Sequence, residues 1–312
     1  MPDLPTHYHT RMLPAADAEA RFGPLLAPPL DLRRRLGPVA EHVFAVVATL
    51  GGQTVGVGLG GVRPGTGIGE VLCLGAVAAA RRRGIGSGLL IRLERALADA
   101  GCAVVQGTFR SDWTGADATA ALLAAAGWQP PVAQKLLYKM EGRTLDGPRV
   151  LRALALPEGY TVSDWDSITD ADRTRVADLL ARDAATRPIG PFDQPVPAVP
   201  GLSVWLRHSG EIVGWHVVLA PEPRAIEHAG LYVAPEHRRS RAGLALVGEA
   251  LRRHDAARAL PAGTPGHAPE TAVFAVEPRN DAMRALADAW FGADGVTKTT
   301  VWLAGKRLDA TE

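Results

Sequence analysis

The sequence predicts an α/β protein built twice over, as two mixed α+β units in tandem. Strand-like and helix-like patterns alternate in the same order through both halves of the 312 residues. One half also slides onto the other by 157 positions without a gap across a strand, a turn and a helix. That shift sets Glu70 on Glu227, Leu74 on Leu231, Arg81 on Arg238, Arg82 on Arg239, Gly86 on Gly243 and Leu89 on Leu246.

In the first half, residues 42–62 alternate and β-branch about Gly51 and Gly52, which predicts a hairpin. Residues 69–77, GEVLCLGAV, read as the next strand. After a glycine-rich turn, Leu89, Leu90, Leu93, Leu97 and Ala98 fall on one helical face, and Gly101 stops the helix. A strand at CAVVQGTF, a short helix at ADATAALLAAAGW and a strand at AQKLLYKM complete this half. The second half runs through a strand at YTVSDW, a helix capped by Thr169, a hairpin turned at Ser209 and Gly210, and a strand at AIEHAGLYV. A helix at GLALVGEALRRH, a strand at TAVFAV, a helix at NDAMRALADAWF and a strand at TKTTVWLA follow. Residues 1–145 and 159–312 are thus expected to be the domains, with the aperiodic, Gly- and Pro-bearing residues 146–158 as linker.

Basic residues number 34 and acidic ones 33, so nothing global attracts nucleic acid or an anionic membrane, and any anion site must be local. Cys73 and Cys102 alone make no disulfide framework, and no Cys/His cluster has metal spacing. His7 and His9 alternate on a terminal strand without a third ligand. No signal peptide and no run of eighteen apolar residues occurs, so the expectation is a cytoplasmic protein with no membrane partner.

Chemistry concentrates at ARRRGIGSGLL, where Arg81, Arg82 and Arg83 precede Gly84, Ile85, Gly86, Ser87 and Gly88 and then a helix. A helix begins with about four backbone N–H groups lacking a partner and with roughly half a positive charge. Glycines there let the backbone approach a phosphate, and arginines add charge-assisted hydrogen bonds. The pattern therefore reads as a pyrophosphate cradle. Neither a Gly-x-x-x-x-Gly-Lys-Ser/Thr loop nor a Gly-x-Gly-x-x-Gly run is present, which sets aside nucleotide triphosphatases and dinucleotide folds. The second copy, YVAPEHRRSRAG, carries Arg238, Arg239 and Gly243 but places Arg241 where the first has Gly84.

Arg81 to Gly86 resembles the Arg/Gln-x-x-Gly-x-Gly/Ala signature of the GCN5-related N-acetyltransferase (GNAT) superfamily, and the doubled chain resembles its tandem, mycothiol-synthase-like members. The resemblance implies two tandem GNAT-fold domains, acetyl-CoA as cofactor, and transfer of an acetyl group to the amine of a small molecule. It implies a strand glutamate, Glu70 or Glu227, as base, six residues before the strand-end Ala76 or Val233, whose backbone N–H polarises the thioester. Val77 and the loop would lie along the coenzyme. Asn280, opening an Asn-x-x-Met turn, resembles the residue at which the late helix meets the pantetheine arm; by itself it reads equally as an N-cap. None of the four tyrosines falls in the late helix, where the family's general acid is found, so that role has no residue. The first copy is expected to be the firmer coenzyme binder. The alternatives are a coenzyme-binding scaffold without turnover, and an aminoacyl transferase using charged tRNA, which the near-zero net charge disfavours. Trp205, Trp215, Trp290 and Trp302 are expected in the core or a pocket wall, His216 and His228 as hydrogen-bonded strand histidines, Cys73 as small core filler, and the proline-rich residues 186–201 in the wall of an acceptor pocket.

Overall fold

The computed structural model describes residues 6–22, 42–142, 149–183, 190–192, 194, 196–222, 224–292 and 295–308. Two compact units form, one from Met1–Gln134 with Thr300–Glu312 and one from Lys135–Thr299.

In the first unit, β1 (Thr6–Pro14), β2 (His42–Leu50), β3 (Gln53–Arg63), β4 (Ile68–Ala76) and β5 (Val104–Arg110) pair in that order, every step antiparallel except β4 with β5. Helix α1 (Ala15–Phe22) follows β1, α2 (Ile85–Asp99) joins β4 to β5, and α3 (Ala116–Ala125) follows β5. Ala15, Ala18 and Phe22 of α1 cover one face of the sheet with Val43, Val57 and Leu59. On the other, Leu89, Leu93 and Leu97 of α2 are wholly buried against Val46, Val71 and Val105, as their spacing predicted. Nothing in the sequence reading foresaw α1, whose eight residues are too short for periodicity to speak.

The second unit contains β6 (Val132–Glu141) from Lys135 onward, the single turn α4 (Arg149–Arg152), β7 (Tyr160–Asp164) and α5 (Asp170–Arg182). Then come β8 (Val204–His208), β9 (Glu211–Glu222), β10 (Ala225–Val233), α6 (Ala242–Arg258), β11 (Thr271–Val276) and α7 (Asp281–Phe291). Its strands pair in the order β7, β8, β9, β10, β11, β6, again with one parallel step, β10 with β11. Thr169 caps α5 through a capping box: its hydroxyl accepts from the Asp172 amide, and the Asp172 carboxylate accepts from the Thr169 amide at 3.0 Å. Ser209 at φ 50° and Gly210 at φ 87° turn the β8–β9 hairpin, as two left-handed residues do in a type I′ turn.

The units differ from the sequence halves at their last strands. β6, which ends the first half, pairs with β11 of the second unit. The final strand, β12 (Thr297–Arg307), pairs from Val301 to Arg307 with β5 of the first. There Lys306 binds Glu94 at 2.7 Å, and Glu94 also accepts from the Trp128 indole at 2.6 Å. Residues 149–158 of the expected linker belong to the second unit. Leu151 is wholly buried in the core formed by Tyr138, Leu251 and Phe291, and Arg152 binds Asp255. Residues 143–148 lie outside the described residues.

Candidate functional site

Each unit opens a cleft between its two parallel strands. β4 and β5 pair only from Ile68–Val104 to Val71–Gly107, and β10 and β11 only from Ile226–Ala272 to His228–Phe274, so the strands part beyond those points. A bulge at Leu72 against β3, and one at Ala229 against β9, bend the two strands at the same place, 157 residues apart. Hydrogen-bond parity then fixes which amides face each cleft. The Val77 amide donates to Val55 O at 2.9 Å, and in an antiparallel ladder the neighbouring pairs alternate. Ala76 and Leu74 therefore turn their N–H groups away from β3, toward the opening. The Ala234 amide donates to Val213 O at 2.8 Å and sets Val233 and Leu231 in the same way. So Ala76 and Val233 present the amides that the sequence singled out, whereas the Val77 amide is already used within the sheet. Leu74 and Leu231 were missed because parity appears only with the register.

Both strand ends carry the same latch. Arg81 Nε donates to Ala76 O at 3.2 Å, and Arg238 Nε to Val233 O at 2.9 Å. These arginines, expected as phosphate ligands, first of all close the carbonyl that ends the strand.

The helix mouths beyond the latches differ. Gly84 precedes α2 at φ 73°, and no side chain caps that helix. Among the described residues the amides of Ile85, Gly86 and Ser87 have no partner, and Arg82 and Arg83 make no ion pair. All three arginines are exposed, and Arg81 borders a pocket of about 300 Å³ with Gly56, Gly75, Ala76 and Val77. At α6 Arg241 holds the equivalent position at φ 64°. A non-glycine residue there costs about 1 kcal/mol. The Ala242 amide is taken by Ser240 Oγ at 3.2 Å, and those of Leu244 and Ala245 by Arg241 O at 3.1 Å, which leaves Gly243 alone. Arg238 also binds Asp183 at 2.8 Å, and Tyr160 bonds His237 at 2.7 Å, while Arg239 is exposed. A set of unpaired donors that an anion would satisfy exists at the first mouth, and at the second the chain satisfies most of it itself.

Glu70 is 5% exposed and accepts from Arg63 at 2.9 Å, at the closed end of the cleft where β4 and β5 still pair. Glu227 holds the same register on β10 and is half-buried. Asn280 caps α7, its side chain accepting from the Met283 amide at 3.0 Å. Tyr138, brought in by β6, stacks on Phe274 and donates to Asp288 of α7 at 2.7 Å. It is wholly buried, and burial raises its pKa.

His216 and His228 bond one another at 2.8 Å beneath α6, with His254 of that helix 6.0 Å from His228, ring to ring. Their outer nitrogens, His216 Nδ1 and His228 Nε2, have no partner among the described residues. Burial lowers all three pKa values, that of His216 to about 4. The counterpart of His228 in the first unit is Val71, so this cluster belongs to the second unit alone. Among the described residues no three histidine, cysteine or carboxylate side chains are placed to hold one metal ion, and no helix is long and apolar enough to cross a membrane.

Known proteins place this architecture. The whole chain superposes on a tandem GNAT protein from the clavulanic acid biosynthesis pathway, at 20% identity over 97% of this chain and 100% of that one, with a TM-score of 0.65. It superposes equally on a GCN5-related N-acetyltransferase from Sphaerobacter thermophilus, at 17% identity, 97% and 96% coverage and a TM-score of 0.64. No curated protein sequence matches the chain. The model of the acetyltransferase (GNAT) family matches residues 13–117, the stretch that holds the splayed strands and the open mouth. Residues 13–117 are thus similar to the acetyltransferase (GNAT) family, within a chain whose fold is that of tandem GNAT proteins over 97% of its length.

Proposed function

We propose that the protein transfers an acetyl group from acetyl-CoA to the amine of a small molecule, and that the first unit holds the coenzyme. The observation that carries this reading is the asymmetry of the mouths: three unpartnered amides and two unpaired arginines at α2, against a mouth of α6 filled by Ser240, Arg241 and Asp183. The coenzyme, when bound, supplies an activated thioester carbonyl. The amides of Ile85, Gly86 and Ser87 bind the diphosphate, and Arg82 and Arg83 neutralise it. The β3 ladder turns the Ala76 amide into the cleft, where it would donate to the thioester carbonyl oxygen, while Arg81 closes the Ala76 carbonyl. The carboxylate of Glu70 takes the proton that the attacking amine must lose.

The test is thiol release with a panel of small amines. Gly86→Glu sets a carboxylate into the mouth and is expected to abolish release; Glu70→Gln is expected to lower kcat at least ~100-fold with little change in coenzyme affinity. Full activity in both variants removes the assignment to the first unit. A second reading, coenzyme binding without turnover, is favoured by the Glu70–Arg63 ion pair, which already occupies the carboxylate of the proposed base. Coenzyme binding with no thiol release for any amine would select it.

A further inference from the structure

We infer that the second unit binds a small zwitterion with a flat apolar body, of the aromatic amino acid class, in a pocket of its own. The proposal concerns binding, needs no coenzyme, and goes beyond the acyl-transfer reading.

The pocket, about 450 Å³, lies between the approach to α5 and residues 191, 192, 194 and 196–198. That volume is in the range of small-molecule sites. Its walls include Trp165, Ile168, Phe192 and Ala198, with Asp166 and Arg173 as its charged members. Trp165 is held flat: it stacks on the wholly buried Trp205 at 4.2 Å and 6°, and Trp205 Nε1 donates to Trp165 O at 2.9 Å. Phe192 is 43% exposed and lies 6.0 Å from Trp205, ring to ring. Both aromatic side chains line the pocket, and an exposed phenylalanine beside a fixed indole is apolar surface that a flat guest would cover.

The charges select the guest further. The guanidinium of Arg173 lies 5.2 Å from the Phe192 ring centre, and among the described residues it has no carboxylate partner. Its neighbours do have partners: Arg175 has Glu211 at 3.5 Å, and Arg207 has Asp172 at 2.9 Å. Asp166 has no cationic partner among the described residues, and it does not pair with Arg173. Within the described residues, one unpaired cation and one unpaired anion on an aromatic wall match a carboxylate and an ammonium carried by one flat molecule. The register adds a direction. Ala198 bridges to Leu219, and Leu219 pairs with Glu227, so the pocket lies on the Glu227 face of the sheet, about 10 Å away by two strand spacings.

Tryptophan fluorescence reads this site directly, because Trp165 lines it. The protein is titrated with L-phenylalanine, phenylacetate and phenethylamine, none of which carries an indole, and calorimetry is run in parallel. The expected result is a saturable change tightest for L-phenylalanine. Arg173→Ala should weaken L-phenylalanine about tenfold or more and leave phenethylamine unchanged, while Asp166→Asn should spare phenylacetate. Both side chains are exposed, so the fold should survive, with circular dichroism as the check. The Gly86→Glu variant should respond as the unaltered protein does, which separates this site from the coenzyme reading. No saturable response to any of the three, equal binding in both charge variants, or phenylacetate binding as tightly as L-phenylalanine would overturn the proposal.

Discussion

Ala76 and Val233 end their strands on carbonyls that an arginine five residues further on closes, and that shared bond gives Arg81 and Arg238 a structural duty before any ligand arrives. On the proposed reading the phosphate duty falls on Arg82 and Arg83, which have no ion pair among the described residues. Replacing either by alanine is expected to weaken acetyl-CoA about fivefold or more at low salt, with the deficit shrinking as salt is raised, whereas Arg239→Ala should change nothing. Histidines supply a pH signature of the second unit. His216, His228 and His254 are held neutral by burial, so folding is favoured by them above pH 6.5, the ordinary histidine value. As pH falls from 6.5 toward 4 the unfolded chain takes up protons that the folded one refuses, and stability drops. His216 alone should contribute a loss of roughly 3 kcal/mol across that window by denaturant titration, and His216→Leu should make the slope shallower. The arginine and glycine loop was legible in the sequence because its chemistry is contiguous. The partner of Glu70 was not, because Arg63 reaches it only through the register of the β3–β4 hairpin, and Asp183 meets Arg238 from 55 residues away.

Helix α6 approaches α4 so closely that a Cβ at Gly248 would stand 2.1 Å from Leu151 O. Gly248→Ala must push the two apart and disturb the wholly buried Leu151, so a loss of about 3 kcal/mol or more is expected in thermal unfolding of the second unit. At the start of α5, Arg207 grips both oxygens of Asp172 at 2.9 Å while Asp172 completes the capping box. Hydrogen bonds from Arg207 are the main reason the Asp172 carboxyl stays well below its usual range. Arg207→Ala should therefore cost about 3 kcal/mol and fray α5. The cap at Thr169 and the Ser209–Gly210 turn were readable in advance, since both are local devices written in adjacent residues. The turn α4 was hidden in a stretch that reads as linker, because four residues have no period and Leu151 is buried by tertiary packing alone.

At the scale of the chain, the 157-residue repeat announces two like units, yet each unit takes its last strand from the other half of the sequence. Nothing in AQKLLYKM or TKTTVWLA names a partner, since either pattern can edge a parallel strand pair, and only the structure assigns β12 to β5 and β6 to β11. Deleting residues 300–312 should thus strip β5 of its neighbour and Glu94 of Lys306 in the first unit, about two hundred residues away in sequence. Scanning calorimetry is expected to show the transition of that unit lowered by ~5 °C or more, with acetyl-CoA affinity falling alongside. The central claim, that the mouth of α2 takes a diphosphate and that of α6 does not, is tested most directly by isothermal titration with acetyl-CoA. The account predicts one site per chain, lost in Gly86→Glu and retained in Gly243→Glu. Two equivalent sites, or a single site lost only when Gly243 is replaced, would contradict it.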